Sequence, residues 1–265
     1  MDYLKQLRQA SQPYQTNISL QTQLAEIQRA CHELAAGQLL SRPLPPLQLT
    51  DDDWWEFLRL GAQHQICPEQ IQRDYQQCQH LLRNCRKYLQ YHYGQWTLIS
   101  QQALRVWTKH WPFRRYLELM AGDGRLARGL TARGQAVIAT DSLTWQQENQ
   151  TGRQLFFPVQ KLTAQEAVQQ IGPQVAAIIL AWSPNNDPID WVLRQQIAAL
   201  PNQPDLIVIG EKFGVTNSEL FWRTEPAQFS AQMLQLRRYL PATSDGVQEA
   251  IYLYRATAKG GRDQK

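Results

Sequence analysis

The sequence has few charged residues, few cysteines and no long apolar run. Charged side chains make up 19% of the 265 residues, and the formal net charge is only +4. This charge falls well short of the basic surface of a dedicated nucleic-acid-binding protein, although it leaves RNA or DNA open as a substrate. Because 43% of the residues are hydrophobic and 10% are aromatic, the chain predicts a substantial core and argues against extended disorder.

The four cysteines, Cys31, Cys67, Cys78 and Cys85, form no Cys-x-x-Cys pair. No stretch reaches the roughly 18 apolar residues of a membrane helix, and residues 1–6 lack the apolar core of a signal peptide. We therefore expect free thiols, a cytoplasmic protein and no membrane partner. A metal site of Cys78, Cys85 and a histidine is disfavoured, because a seven-residue helical spacing is not a chelate spacing.

The first third of the chain places apolar residues at alternating steps of four and three. This spacing predicts a helix over 18–36 that ends at Gly37, and a longer helix over 68–93. The proline-rich stretch 41–46 between them cannot continue a helix and is interpreted as a stiff connector. The two apolar seams predict packing in a helical bundle, with a homodimer through these helices as the alternative.

Two further helices are predicted from their capping residues. Thr50 precedes three aspartates whose carboxylates favour the positive end of a helix dipole, and that helix is expected to stop near Gly61. Ser100 is the expected cap of a helix over 100–110 that ends at Pro112.

The remaining two thirds alternate short apolar runs with helical patterns. This alternation predicts a parallel sheet with helices on both faces, and two final runs joined through Ser244-Asp245-Gly246 predict an antiparallel closing pair. The predicted strands cover 116–120, 136–140, 175–181, 206–209, 234–240 and 250–255, and the predicted helices cover 125–133, 163–170 and 188–200.

The loop after the first of these strands contains the strongest functional motif. Gly122 and Gly124 let the backbone turn with positive φ and approach a ligand closely. Asp141 ends the next strand, where a carboxylate can hold the hydroxyls of a ribose. Gly122-x-Gly124-x-x-Ala127 also satisfies the relaxed dinucleotide fingerprint, so a nicotinamide-dependent oxidoreductase is an alternative, although the acidic residue follows the loop sooner than that fold usually requires.

The segments 117–127, LELMAGDGRLA, and 137–141, VIATD, resemble the first two motifs of class I S-adenosylmethionine-dependent methyltransferases. The resemblance covers about residues 113–256. It implies a Rossmann-like, mostly parallel sheet of seven strands with an antiparallel C-terminal hairpin. With the preceding helices, this predicts an N-terminal α-helical region over 1–112 and a cofactor-binding domain over 113–265. The residues around Trp182 and Glu211 more weakly resemble those of a poorly characterised methyltransferase-like group.

The resemblance also implies which residues bind the cofactor, S-adenosyl-L-methionine. Glu118 and Gly122 would line its methionine end, Gly124 would lie close by, and Asp141 would bind the ribose. Met120 stands where the family has the first glycine of the loop, and we expect its side chain to narrow the site or weaken binding. The complete predicted set is Glu118, Met120, Ala121, Gly122, Gly124, Asp141, Ser142, Gln160, which would contact adenine, and Trp182.

The methyl acceptor is not identified by the sequence. The loop over 182–188, WSPNNDP, would face the substrate but lacks the Asn/Asp-Pro-Pro-aromatic motif of amine-methylating relatives. Asp187 and Glu211, at predicted strand ends, are the candidate general bases. The basic and aromatic side chains over 83–93 allow an RNA-binding surface, although a solvated helix face is the simpler interpretation. The alternative to an enzyme is a methyltransferase-like fold with vestigial activity that binds a partner through its helices.

Overall fold

A six-stranded mixed sheet forms the centre of the C-terminal part of the computed structural model. The structure describes residues 3–111, 114–147, 154–224, 227–228, 231–241 and 245–255. The strand order is β3-β2-β1-β4-β5-β6. The strands are β1 (Arg115–Leu119), β2 (Ala136–Asp141), β3 (Val159–Lys161), β4 (Ala177–Ala181), β5 (Asp205–Gly210) and β6 (Ala250–Tyr254).

All neighbouring strands are parallel except β5 and β6, which pair antiparallel with Gly210 opposite Ala250. The chain moves outward from β1 to β2 and β3, and then returns to the other side of β1 with β4. This reversal places a topological switch point between β1 and β4, where the carboxyl ends of the strands leave a crevice for ligands. The fold class predicted from the sequence is confirmed in its α/β architecture with preceding helices.

Eleven α-helices lie within the described residues. They are α1 (Tyr3–Ser11), α2 (Ile18–Ala35), α3 (Asp51–Gln63), α4 (Pro68–Arg83), α5 (Cys85–Tyr93), α6 (Gln101–His110), α7 (Arg125–Thr131), α8 (Ala164–Gln170), α9 (Ile189–Ala199), α10 (Glu219–Thr224) and α11 (Ala231–Arg237). The predicted caps are confirmed: Thr50 and Asp53 form a capping box on α3, and the Ser100 side chain accepts a hydrogen bond at the start of α6. Pro112 lies outside the described residues.

The sheet is covered on both faces, as its continuous apolar strands predict. One face packs against α6, α7 and α11, with Trp107 of α6 and Leu236 of α11 fully buried. The other face packs against α8, α9 and α10, with Leu193 of α9 and Phe221 of α10 in the core. Alternate strand residues serve the two faces, because successive side chains in a strand point to opposite sides.

The prediction of a seventh strand and a C-terminal hairpin is wrong for the described residues, which contain six strands. Most of the run 234–240 belongs to α11 and the turn after it. Met233, Leu236 and Leu240 are buried at helical spacing, so the apolar period of this run is that of a helix. Ser244 of the predicted turn lies outside the described residues.

The single helix predicted over 68–93 is interrupted at Asn84. Nδ2 of Asn84 donates to the carbonyl oxygen of His80 at 2.7 Å, in addition to the bond from its backbone nitrogen. Such local bonds from an asparagine side chain compete with a continuing helix. After the interruption, α5 contacts α2 as well as α4.

A separate core holds the N-terminal helices together. Leu20, Ile27 and Leu34 of α2 pack with Leu82 and Leu89 in this core. By contrast, α6 contributes to the core on the sheet. The division of the chain into domains at residue 112 stays a prediction.

Within the described residues, no helix is both long and apolar enough to cross a membrane. The four cysteines are free, and only Cys67 is exposed. The same residues include no group of three or more potential metal-ligating side chains.

Candidate functional site

The turn after β1 uses three residues with positive φ. Met120, Gly122 and Gly124 have φ values of +51°, +57° and +80°. The Ala121 nitrogen donates to the carbonyl oxygen of Thr140 at 3.0 Å, and the Gly124 nitrogen donates to the carbonyl oxygen of Ala121 at 3.0 Å. The loop is therefore anchored to β2 while its glycines adopt backbone geometry that side chains disfavour.

Asp141, at the end of β2, is directed at this loop. Its Oδ2 accepts a hydrogen bond of 2.8 Å from the Gly122 nitrogen. Its Oδ1 accepts hydrogen bonds from the Leu143 nitrogen at 2.7 Å and from Nε1 of Trp145 at 3.1 Å. A carboxylate has about four lone-pair positions, so these three donors leave one position for a ligand hydroxyl.

Gly122 and Gly124 differ in the space that surrounds them. A Cβ atom added at Gly122 would meet nothing within 4 Å. A Cβ added at Gly124 would lie 2.8 Å from Cβ of Phe157 and 3.1 Å from Cγ2 of Val159. A ligand can therefore lie against the backbone at Gly122, whereas the chain itself covers Gly124.

Glu118 lies in β1, directly before this turn, and is almost fully buried. Its Oε2 atom is buried without a hydrogen-bond partner. Burial, together with the nearby Asp123 and Asp141 carboxylates, raises the pKa of Glu118 to about 8, against a lowering hydrogen bond from the Ala127 nitrogen. A cationic ligand group beside Glu118 would stabilise its ionised form.

Asp123 and Arg125 join the loop to the N-terminal helices. Arg125 is buried, pairs with the Asp123 carboxylate, and donates to the carbonyl oxygens of Tyr93 at 2.8 Å and Leu34 at 2.9 Å. Burial raises the pKa of Asp123 to about 6, although Arg125 opposes this rise. The guanidinium also lies 4.4 Å from the ring centroid of Phe156. The helices and the glycine loop are thus held in a fixed relation.

The Met120 side chain packs against the core on the α8 and α9 side of the sheet. Met120 has a positive φ at a turn position that usually requires glycine, so its backbone is strained. The sequence-based expectation that this side chain narrows the cofactor site stays a prediction.

The other predicted cofactor residues lie around the same sheet edge. Ser142 follows Asp141 and shares a 3.1 Å hydrogen bond with the Thr144 hydroxyl. Gln160 is exposed on β3 and pairs with Thr140 of β2. No contact joins Gln160 to the loop after β1 among the described hydrogen bonds, so its assignment to adenine stays a prediction.

The two candidate general bases both accept hydrogen bonds from backbone amides. Asp187 is exposed and accepts from the Ile189 nitrogen at 3.0 Å, at the start of α9. Glu211 accepts from the nitrogens of Val215 at 2.9 Å and Gln248 at 2.7 Å. The Glu211 bonds fix the loop after β5. The assignment of either residue as a general base stays a prediction.

Trp182 and Ser183 follow β4, on the opposite side of the switch point from Gly122. Trp182 has a φ of +55° and lies beneath the Arg86 guanidinium, 5.7 Å from the ring centroid. Its Nε1 atom is buried without a hydrogen-bond partner, as is Oγ of Ser183. The Ser183 carbonyl oxygen accepts a 2.9 Å bond from the Asn217 nitrogen, which links the loops after β4 and β5.

Asn217 was not predicted as a site residue, and Ser183 was predicted only as part of the loop over 182–188 that would face the substrate. Both amide atoms of the Asn217 side chain are buried without a partner. Buried polar atoms normally have a partner in the protein, in ordered water or in a ligand. The sequence signal was the polar triplet 216–218 in the loop after β5, and such a triplet is equally typical of a turn and of a site.

No family model and no curated protein matches the chain. Solved structures similar to it include a Burkholderia thailandensis 1,6-didemethyltoxoflavin-N1-methyltransferase with bound 1,6-didemethyltoxoflavin and S-adenosylhomocysteine, at 15% identity over 67% of this chain and 88% of that chain, with a TM-score of 0.37. Another is the Streptomyces davawensis N,N-8-amino-8-demethyl-D-riboflavin dimethyltransferase, at 14% identity over 78% and 68%, with a TM-score of 0.32.

Human N-acetylserotonin methyltransferase in complex with S-adenosylmethionine is similar at 14% identity over 92% of this chain and 69% of that chain, with a TM-score of 0.37. These structural neighbours are methyltransferases. At this identity and these TM-scores no residue role is carried over from them. The role of each residue therefore rests on the geometry of this chain.

Proposed function

We propose that the chain is an S-adenosylmethionine-dependent methyltransferase. The observation that carries the proposal is the open backbone at Gly122, which is hydrogen-bonded to the Asp141 carboxylate at the switch point of the sheet. This arrangement offers a bare main chain for the cofactor and an acceptor position for a ribose hydroxyl. The orphaned Oε2 of Glu118 lies before the same turn, where the positive charge of the cofactor would stabilise its carboxylate.

The space around Gly124 favours this cofactor over a nicotinamide dinucleotide. In the dinucleotide fingerprint, the second glycine lets the pyrophosphate approach the backbone. Here Phe157 and Val159 occupy that approach at Gly124. A cationic ligand would also stabilise the ionised form of the buried Glu118, whereas a pyrophosphate would disfavour it.

When bound, the cofactor supplies an electrophilic methyl group on a sulfonium. The residues of this chain would position the reactants and exclude water, which are the main requirements of an in-line transfer. Gly122 would lie against the methionine end of the cofactor and Asp141 would hold its ribose, while Trp182 and Ser183, across the switch point, would face the methyl acceptor. The helices linked through Arg125 would cover this edge of the sheet.

Isothermal titration calorimetry with S-adenosylhomocysteine tests the proposal. Saturable binding to the wild type is expected, and Gly122→Ala should weaken it at least tenfold, because its Cβ enters the space assigned to the cofactor. Gly94→Ala is the matched control: Gly94 also has a positive φ, +67°, and its Cβ would also meet nothing within 4 Å. Absence of binding at millimolar ligand would contradict the proposal and favour the vestigial fold.

A further inference from the structure

The inner face of α5 connects the two sides of the candidate site. Arg86 of α5 lies over Trp182 after β4, and the carbonyl oxygen of Tyr93 accepts from Arg125 after β1. Gln90 stands four residues after Arg86 and three before Tyr93, so it lies on the same helix face between these contacts. Gln90 is only 6% exposed, and its Nε2 is buried without a hydrogen-bond partner.

Four residues of α5 and of the loops after β4 and β5 have buried side-chain atoms without a hydrogen-bond partner, and these four share a chemical character. Gln90 Nε2 and Trp182 Nε1 are donors without an acceptor, Ser183 Oγ can donate or accept, and the Asn217 amide offers one donor and one acceptor. All belong to uncharged groups. A ligand that satisfies them carries oxygen acceptors and at least one N–H or O–H, and it needs no net charge.

The guanidinium of Arg86, which lies over Trp182, is already paired with two carboxylates. Nε of Arg86 donates to Asp245 at 2.7 Å, and its Nη1 donates to Glu249 at 2.9 Å. Glu249 also accepts hydrogen bonds from the Thr97 hydroxyl and the Leu98 nitrogen. An anionic substrate such as a phosphate would therefore find no unpaired cation among these residues.

Aromatic rings lead from solvent to Trp182. Tyr91 and Trp96 are 63% and 43% exposed, and their ring centroids are 5.9 Å apart. The Trp96 centroid in turn lies 6.2 Å from that of Trp182. Such a series of rings suits a flat aromatic ligand, which gains from ring contacts as well as from burial.

From these observations we infer that Gln90, Trp182, Ser183 and Asn217 bind the methyl acceptor, and that the acceptor is a small, uncharged planar ring bearing a carbonyl or hydroxyl oxygen. The inference rests on the proposed function for the identity of the site. It makes α5 part of the substrate site, so the N-terminal helices determine specificity in addition to covering the cofactor.

The probe for this inference is 2-quinolone, a flat lactam with one carbonyl oxygen and one N–H. Its binding is measured by ligand-observed NMR and calorimetry, with and without S-adenosylhomocysteine. We expect wild-type protein to bind it, and Gln90→Met to weaken that binding at least tenfold while the melting temperature stays equal or rises. Gln76→Met, at an exposed glutamine of α4, is the matched control and should change neither quantity.

Ser183→Ala provides a second variant, because it removes a buried hydroxyl that has no partner in the protein. A purely structural hydroxyl would leave the probe affinity unchanged, whereas a ligand-binding one should lower it severalfold without lowering the melting temperature. If both variants bind 2-quinolone as the wild type does, the inference is overturned and the unpaired atoms are satisfied by buried water.

Two other outcomes separate this inference from the proposed function. Failure of S-adenosylhomocysteine to bind contradicts the methyltransferase proposal, and the ring site is then judged by the Gln90 and Ser183 comparisons without cofactor. In the second outcome, the protein binds S-adenosylhomocysteine and a ten-nucleotide polyuridine but not 2-quinolone. This result overturns the small-ring site and supports an RNA acceptor at the exposed basic and aromatic side chains of α5.

Discussion

The Gly122 nitrogen and Oδ2 of Asp141 are joined by a hydrogen bond of 2.8 Å, across 19 residues of sequence. This bond connects the ends of β1 and β2 through the two residues on which the candidate cofactor site depends. Two further donors from the following loop bind Oδ1, so most acceptor positions of the carboxylate are occupied within the chain. The same side chain therefore shapes the loop and retains one acceptor position for a ligand.

Asp141→Ala should reduce both stability and ligand binding. The substitution leaves the partly buried amides of Gly122 and Leu143 without this acceptor, which costs on the order of 1 kcal/mol of unfolding free energy. The affinity for S-adenosylhomocysteine should fall at least tenfold. Urea denaturation and calorimetry measure the two effects, with Asp52→Ala, an exposed aspartate of α3, as the control. Unchanged affinity in Asp141→Ala would show that the ribose assignment is wrong.

Gly124→Ala should be more destabilising than Gly122→Ala. Both alanines adopt positive φ, with a cost on the order of 1 kcal/mol, but only the Cβ at position 124 approaches Phe157 within 2.8 Å. Overpacking of this kind adds about 1–3 kcal/mol. The comparison uses the midpoints of urea denaturation for the two variants. Equal midpoints would mean that residues 157–159 do not pack on the loop as described.

Glu118→Gln should alter the pH dependence of stability. The folded chain keeps the Glu118 proton up to about pH 8, whereas the unfolded chain releases it near its ordinary pKa of 4.5. The folded state binds more protons between these values, so the unfolding free energy of the wild type falls as pH rises through this range. At pH 8 the variant should be more stable than the wild type by about 4 kcal/mol, because the pKa of Glu118 differs between the two states by more than three units.

At pH 4 the same substitution should have little effect, because Glu118 is protonated in both states. Denaturation curves at the two pH values provide the test, and Glu69→Gln, at an exposed glutamate, is the control. A difference between variant and wild type that is independent of pH would contradict the burial of a protonated carboxyl at this position.

Arg125→Met should uncouple the helices from the glycine loop. It removes the bonds to Tyr93 and Leu34 and leaves Asp123 buried without its ion-pair partner, which costs about 3–5 kcal/mol. The control on the same helix is Arg128→Met, because Arg128 is exposed and its guanidinium donates one 3.0 Å bond to the Gly37 carbonyl. Adding Asp123→Asn to Arg125→Met should recover part of the loss. Equal costs for the two arginine variants would exclude Arg125 as the connecting residue.

Local sequence determined those parts of the structure that depend on neighbours along the chain. The helix caps at Thr50 and Ser100, the apolar strands β4 and β5, and the glycine turn after β1 all follow from backbone preferences and periodicity within a few residues. The break at Asn84 and the helical state of 231–237 were missed, because a short apolar run fits more than one regular structure until its packing partner is known.

Tertiary structure alone decided which polar atoms remain without partners. Gln90, Ser183 and Asn217 are ordinary residues in the sequence, and they become candidates because folding buries them without satisfying their hydrogen bonds. Likewise, Gly122 and Gly124 are alike in sequence, yet Phe157, from a distant segment, covers only one of them. Burial and close approach arise between segments far apart in the chain, so no local pattern encodes them.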